Sequence, residues 1–343
     1  MGCNDIPPFY FPTTVVFVDN SRDFLENLSL KLDTGLAFCL YDSPVDALVE
    51  LNGRYRQEFL VERFFSLFDY SEELSLSHHV IDLNLDKIVR EVHNERRFEQ
   101  VSVVVVDYDM PEIDGLELCR NIRNPAMKKV LLTGKADEKV AVQAFNQGII
   151  DRFILKQDED VIPILKRAIA DLQRAYFQDL GRMLMDALAL GSHPFLRDPA
   201  FSDVFRQLCT KLNIVEFYLS GIPEGILLLD ADGKPYFLLV STEEDLVSHY
   251  ETAYDQAAPQ ELLDALRSNE VVPYFWKTGW EYSPQCGDWR SYLHPATEVQ
   301  GREWYYYAVV EQAPGFQLDK VRAYNAFLDW LDQQGRTGLP RQA

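Results

Sequence analysis

Val101–Arg123, VSVVVVDYDMPEIDGLELCRNIR, sets the fold of this chain. Its valine-rich opening gives a strand apolar on both faces, the pattern of a central strand in a parallel sheet covered on both sides. The strand ends in acid at Asp107. Met110 and Pro111 then break it, and Gly115 precedes a helix with apolar positions at Leu116, Leu118, Cys119 and Ile122. In open α/β sheets chemistry collects beyond the carboxyl ends of the strands, so Asp107 stands where a nucleophile or a metal ligand would stand.

Other apolar runs end in polar partners for it. Thr14–Val18 ends in Asp19-Asn20 before a helix carrying Phe24, Leu25, Leu28 and Leu32. Lys129–Leu132 ends in Thr133-Gly134, and Phe153–Leu155 ends in Lys156. With Gly35–Leu40 as a further strand, the expected fold is α/β, a doubly wound five-stranded parallel sheet. Two acids, a hydroxyl and an ammonium at strand ends make a small phosphoryl site. There a carboxylate attacks, Mg²⁺ neutralises the phosphoryl oxygens, and the hydroxyl and ammonium hold the product.

On these four motifs, in this order, the chain from about Thr13 to Leu172 resembles the flavodoxin-like receiver domains of bacterial two-component response regulators. The resemblance implies that Asp107 accepts a phosphoryl group and that Asp19 is an acidic Mg²⁺ ligand, with the backbone carbonyl of Asp109 as a third metal contact. It further implies that Thr133 hydrogen-bonds the phosphoryl group, that Lys156 pairs with it, and that Phe153 is the aromatic whose rotamer reports activation. A cognate histidine kinase or phosphotransfer protein would be the phosphoryl source.

The chain departs from that pattern in three places. Where the family has a second acid after the first strand there is Asn20, a neutral ligand that should weaken Mg²⁺ binding, although the side chain of Asp109 can supply the missing charge. Lys156 is followed by Gln157 where the family commonly has proline. Asp19 and Asp107 are also much further apart than usual, which marks an insertion at about 54–98. Arg54–Leu67 keeps helical spacing through Phe59, Leu60, Phe64 and Phe65, Asp69–Ser77 is a polar break, and Asp86–Phe98 is helical again, so the insertion reads as an extra helical pair. His78, His79 and His93 lack the further ligands or the base that a metal site or a phosphorelay histidine would need, and they read as surface or locally bonded residues. Lys135 and Asp114 read as solvated loop residues.

A chain of 343 residues, 47% hydrophobic, can bury more than one core. It has no apolar run long enough to span a bilayer, and Met1–Pro12, with three prolines and one acid, reads as a flexible arm rather than a leader. A cytoplasmic location with no membrane contact is therefore expected. Five scattered cysteines without CxxC spacing argue against zinc or a disulfide framework. With 33 Lys and Arg against 54 Asp and Glu, the net charge of −21 opposes nucleic acid. Gly191–Ala343 is acidic as well, with 12 basic against 22 acidic residues and no helix-turn-helix with a basic second helix, so direct nucleic-acid binding is not expected.

After Lys156 the pattern turns helical at 161–190, with Ile162, Leu165, Ile169, Leu172, Tyr176, Leu180, Met183 and Ala187 stepping by three or four. Its length suggests a two-stranded connector, and hence a homodimer, over a helix packed on its own domain. Residues 191–213 read as a linker and a short helix. An α+β output domain follows at 214–315. Gly225–Asp230 and Pro235–Val240 form a hairpin around Ala-Asp-Gly-Lys, Glu243–Tyr254 and Pro259–Ser268 are helices, and Val271–Trp276, Ser291–His294 and Glu303–Glu311 are strands. Two strands, short helices and three strands make a PAS-like order. Residues 316–343 read as a C-terminal helix and tail. Aromatics such as Tyr274, Trp280 and Trp304–Tyr307 read as core and interface, with a small-molecule pocket as the alternative.

The function implied is a response regulator, not an enzyme beyond its own phosphoryl transfer, whose non-DNA-binding output acts through protein contacts or ligand sensing. The alternative is a receiver-controlled enzyme acting on a nucleotide or second messenger. Asp230, Asp232 and Glu243 are the carboxylates that could serve it, although Asp232-Gly233 is better explained by a turn.

Overall fold

The computed structural model describes residues 5–54, 64–68, 80–134, 138–188 and 193–336. The chain divides into two compact units, each gathered from distant segments: residues 12–62, 96–182 and 324–343 in one, and 1–11, 63–95 and 183–323 in the other.

In the first unit the strand Val101–Asp107 is buried along its whole length. It lies at the centre of a five-stranded, all-parallel sheet in the order Phe38–Tyr41, Thr14–Val18, Val101–Asp107, Lys128–Thr133, Arg152–Leu155. Strand alternation divides its valines between the two faces. Val103 and Val105 share a core with Leu25 and Leu28 of helix Arg22–Ser29 and with Leu165, Ile169 and Leu172 of helix Val161–Leu188. Val104 and Val106 point the other way and are fully buried too. The five-stranded doubly wound sheet expected from the sequence is present.

The long helix Val161–Leu188 has the expected extent, but not the expected partner. Leu172 and Tyr176, placed by the sequence in a seam between two chains, are 6% and 5% exposed within a single chain. The sheet takes up the first part of the apolar stripe that a coiled coil would have used, because Leu165, Ile169 and Leu172 fill the space beside Val103, Val105 and Val130.

The C-terminal helix Tyr324–Gln333 belongs to this same unit. Tyr324, opening helix Tyr324–Gln333, donates its hydroxyl to the Gly35 carbonyl at 2.8 Å and accepts the Ala37 N–H at 3.0 Å. Its ring meets Phe98 edge-on at 5.2 Å. Arg336 donates to the Leu36 carbonyl at 2.9 Å, with its guanidinium 4.2 Å from the Phe38 ring centre.

The second unit is built on a six-stranded antiparallel sheet in the order Phe9–Tyr10, Ile214–Ser220, Gly225–Asp230, Pro235–Thr242, Trp304–Glu311, Thr297–Gln300. The hairpin at Ala231–Lys234 is as expected, with the Asp230 carboxylate accepting the N–H groups of Asp232 and Lys234. Three expectations fail. The strand Ile214–Ser220 precedes the hairpin, so the sheet lacks the element order on which the PAS-like resemblance rested. The described part of the expected arm, residues 5–12, is not simply loose: Phe9 and Tyr10 pair with Tyr218 and Phe217, and Phe9 and Phe11 are fully buried, their aromatic surface outweighing the prolines around them. Among the described residues of the insertion, the first expected helix gives way to a strand at Phe65–Phe68, while Phe59, Leu60 and the polar break lie outside the described residues. Phe65–Phe68 is a strand paired with Val80–Leu83, and a helix capped by Asn84 follows at Leu85–Arg90. Phe65 and Leu67 also satisfy a two-residue period, and a cross-strand partner decides between the two readings. His78, His79 and Lys135 lie outside the described residues.

Trp304–Glu311 shows the expected alternation. Tyr305 and Tyr307 both pack on Phe201 of helix Pro199–Lys211, with ring centres 5.5 and 6.1 Å away. Among the described residues Cys39, Cys119 and Cys286 are buried free thiols, and burial pushes Cys119 up to about 12. No helix among the described residues is long and apolar enough to cross a membrane.

Candidate functional site

Three strand ends bring the sequence-predicted residues together. Asp107 closes the central strand, Asp19 follows its neighbour on one side, and Lys156 follows Arg152–Leu155, two strands away on the other side. The Lys156 ammonium lies 2.7 Å from one Asp19 oxygen and 2.8 Å from one Asp107 oxygen, so it bridges the two carboxylates. Asp19 is almost fully buried, Asp107 is buried, and Lys156 is partly exposed.

Local structure explains this convergence. The second Asp19 oxygen accepts the Ser21 N–H at 2.8 Å, and the Ser21 hydroxyl accepts the Phe24 N–H as the N-cap of helix Arg22–Ser29. The strand therefore passes into the helix with the Asp19 carboxylate held at the turn. On the central strand, Gly115 lets the next helix approach closely: a Cβ there would sit 2.2 Å from the Asp107 carbonyl oxygen. Asp114, read as a solvated loop residue, is the N-cap of that helix and accepts the Glu117 N–H at 2.7 Å.

Thr133 is fully buried at the end of the strand between Asp107 and Lys156. Its hydroxyl donates to the Gly134 carbonyl at 3.2 Å, and its own carbonyl accepts the Lys156 N–H at 3.0 Å, so its backbone helps to place the lysine. Phe153 is half-buried and pairs in register with Leu131. Asn20 and Asp109 are exposed beside the carboxylates. The sequence reading missed Phe24, whose ring lies 4.5 Å from the Lys156 ammonium and adds a cation–π contact. Its signal was its place in the first turn after Asp19-Asn20-Ser21.

Burial dominates the electrostatics of Asp107. Desolvation raises its pKa above the ordinary carboxylate range, the hydrogen bond from Lys156 opposes this, and the Asp19 charge adds to the rise. A hard cation with oxygen ligands fits this donor set. Asp19 and Asp107 supply two carboxylates, and the exposed Asp109 and Asn20 leave the rest of the coordination shell to backbone and water, as Mg²⁺ prefers. Of the carboxylates that the sequence offered to an output enzyme, Asp230 serves the hairpin turn.

A family model described as the response regulator receiver domain matches residues 76–164, a stretch that contains Asp107, Thr133 and Lys156 but not Asp19. A solved structure described as the Legionella pneumophila response regulator LqsR is 40% identical, covers 99% of this chain and 100% of its own, and superposes with a TM-score of 0.78. A response regulator receiver domain protein from Clostridium thermocellum is 17% identical over 47% of this chain and 94% of its own, with a TM-score of 0.30. An adenylate cyclase from Rhodopirellula baltica is 20% identical over 52% of this chain and 98% of its own, with a TM-score of 0.34. No curated protein matches the chain.

Proposed function

Because this chain belongs to the two-component response regulators, we propose that it is switched by transfer of a phosphoryl group from a histidine kinase or phosphotransfer protein to Asp107. The observation that carries this reading is the Lys156 ammonium bridging Asp19 and Asp107 at 2.7 and 2.8 Å. An Asp107 carboxylate oxygen attacks phosphorus and the donor nitrogen leaves, so a phosphohistidine becomes a histidine and an acyl phosphate forms. Mg²⁺, held by Asp19, Asp107 and the Asp109 carbonyl, would neutralise phosphoryl oxygens during that step. Lys156 then has a dianion to pair with in place of one carboxylate, and Thr133, already tied to Lys156 through its backbone, turns its hydroxyl to the phosphoryl group.

The output acts through protein contacts or ligand sensing and not by binding DNA, since Gly191–Ala343 carries 22 acidic against 12 basic residues. With Leu172 and Tyr176 buried, a homodimer would form through another face. Apolar candidates following Thr133 are the exposed Val140, Val142 and Phe145 of helix Glu138–Asn146. To test the phosphoacceptor, the protein is incubated with acetyl phosphate and Mg²⁺ and its intact mass is measured. Wild type should gain one phosphoryl group and Asp107→Asn none; a variant phosphorylated as readily as wild type would sink the assignment.

A further inference from the structure

The second unit contains a cavity of about 230 Å³ between the sheet and the segment that follows helix Gln260–Arg267. Three carboxylates line it, Glu224, Asp245 and Glu281, together with the rings of Tyr274, Trp280 and His249. Among the described residues no lysine or arginine lines it.

Its walls are fixed. The Tyr274 hydroxyl donates to the Pro314 carbonyl at 2.6 Å, and the Tyr274 and Trp280 ring centres lie 5.5 Å apart. Trp280 takes a left-handed backbone with φ 75°, and its ring reaches the space that a side chain at Gly315 would fill, where a Cβ would stand 2.9 Å from it. One Asp245 oxygen accepts both the Thr242 N–H and the Thr242 hydroxyl at 2.7 Å, which completes the capping box of helix Glu243–Asp255. An aromatic wall facing carboxylates, Glu224 and Asp245 half-buried and Glu281 exposed at the mouth, favours positive charge twice, through the ring quadrupoles and through the acids.

We propose that this cavity binds a small organic cation, an alkylammonium of fewer than about ten non-hydrogen atoms, the volume being close to that of eight waters at ~30 Å³ each. The carboxylates supply the charge and hydrogen-bond acceptors, and Tyr274 and Trp280 take the apolar and cationic surface. The titratable neighbours agree with an incoming cation. Burial, with the Asp245 and Glu303 charges added, pushes the Glu224 carboxyl up to about 8, although the His193 N–H donates to it. The His193 imidazole is 3.9 Å from Glu224. Burial lowers the His249 pKa against the pull of Asp245 and Glu281. Near neutral pH Glu224 thus holds a proton as a neutral acid; when an ammonium enters, that proton leaves to solvent and the ammonium takes its place beside the carboxylate. Binding would give the output unit a chemical input of its own, one that does not depend on Asp107.

The full-length protein is titrated with butylammonium chloride, 1-butanol, sodium butyrate and MgCl₂, with calorimetry for affinity and a pH-stat at pH 7 for protons. Butylammonium should bind at least about tenfold more tightly than 1-butanol, butyrate should not bind, and close to one proton should leave per site. In Glu224→Gln, which keeps the shape of the protonated acid, the proton release should vanish and the preference for the ammonium should fall. Trp280→Leu should weaken butylammonium severalfold. Equal affinity for butylammonium and 1-butanol, no binding of either, or proton release unchanged in Glu224→Gln overturns the proposal. Tighter binding of Mg²⁺ than of butylammonium at a site lost in Glu224→Gln also overturns it, in favour of a bare metal site. The proton count on wild type decides the matter even if a variant fails to fold.

Discussion

The two units treat clustered carboxylates in opposite ways. At the strand ends of the receiver, Asp19 and Asp107 share the Lys156 ammonium at 2.7 and 2.8 Å, so the chain supplies its own cation. In the output unit Glu224, Asp245 and Glu281 surround a cavity that no lysine or arginine lines among the described residues, and Glu224 responds by holding its proton up to about pH 8. A site with its own counter-ion is ready to exchange one anion for another, a carboxylate contact for a phosphoryl one. A site without one is ready to take a cation. Burial raises the carboxyl pKa in both, and the difference lies in what opposes it: a hydrogen-bonded ammonium for Asp107, a backbone N–H for Glu224.

The largest expected effect comes from removing the internal cation. Lys156→Met leaves two buried acids facing each other, so one should stay protonated near neutral pH and the phosphoryl product should lose its pairing charge. Phosphorylation by acetyl phosphate should slow by about a hundredfold, the order found when one preorganised electrostatic partner is deleted. A rate within a few-fold of wild type would show that Lys156 does not compensate the acids, and the contrast between the units would break.

The second effect is a pH dependence in the output unit. The folded Glu224 carboxyl titrates at about 8 against 4.5 in its ordinary state, so between these values the folded form holds a proton that the unfolded form has released. Stability from this group is therefore greatest below about pH 4.5, falls as pH rises through the window, and levels off above pH 8, with a slope of up to about 1.4 kcal/mol per pH unit. Glu224→Gln removes that slope. Thermal or urea unfolding of both proteins from pH 5 to 8 isolates the contribution, since the remaining groups are common to both. A difference between them that does not change with pH would mean that Glu224 is ionised in the folded protein.

Most of the receiver site was legible because each residue sits at the end of a strand whose apolar run is visible locally: Val101–Asp107 announces Asp107, and Phe153–Leu155 announces Lys156. Distance in sequence hid the rest. Phe9 and Tyr10 find Tyr218 and Phe217 across the whole receiver sequence, and Tyr324 reaches back to Gly35 and Ala37. Nothing in a short window shows such pairings, which tertiary packing selects. The long helix misled for a related reason. A stripe stepping by three and four fits a sheet as well as a second helix, and only the position of Val103 and Val105 opposite Leu165, Ile169 and Leu172 decides between them. The output cavity draws on residues from Glu224 to Glu281, on a loop, a helix and a post-strand segment, so its aromatics were visible while its acids were scattered.

The smallest effect sharpens the receiver side of the contrast. Asn20 follows Asp19 directly and is exposed, so a carboxylate there would add negative charge beside the metal ligands without adding to the buried load that Lys156 already balances. For a divalent cation about 4 Å away in largely aqueous surroundings, one more unit charge is worth about 2 kcal/mol before screening and about 1 kcal/mol or less after it. Asn20→Asp should therefore tighten Mg²⁺ by roughly fivefold, and the gain should shrink as salt is raised. Calorimetric titration of wild type and variant with MgCl₂ at low and high ionic strength measures both. Equal affinity at low salt would mean that the side chain at this position does not face the cation, and that Asp109 rather than residue 20 completes the acidic set.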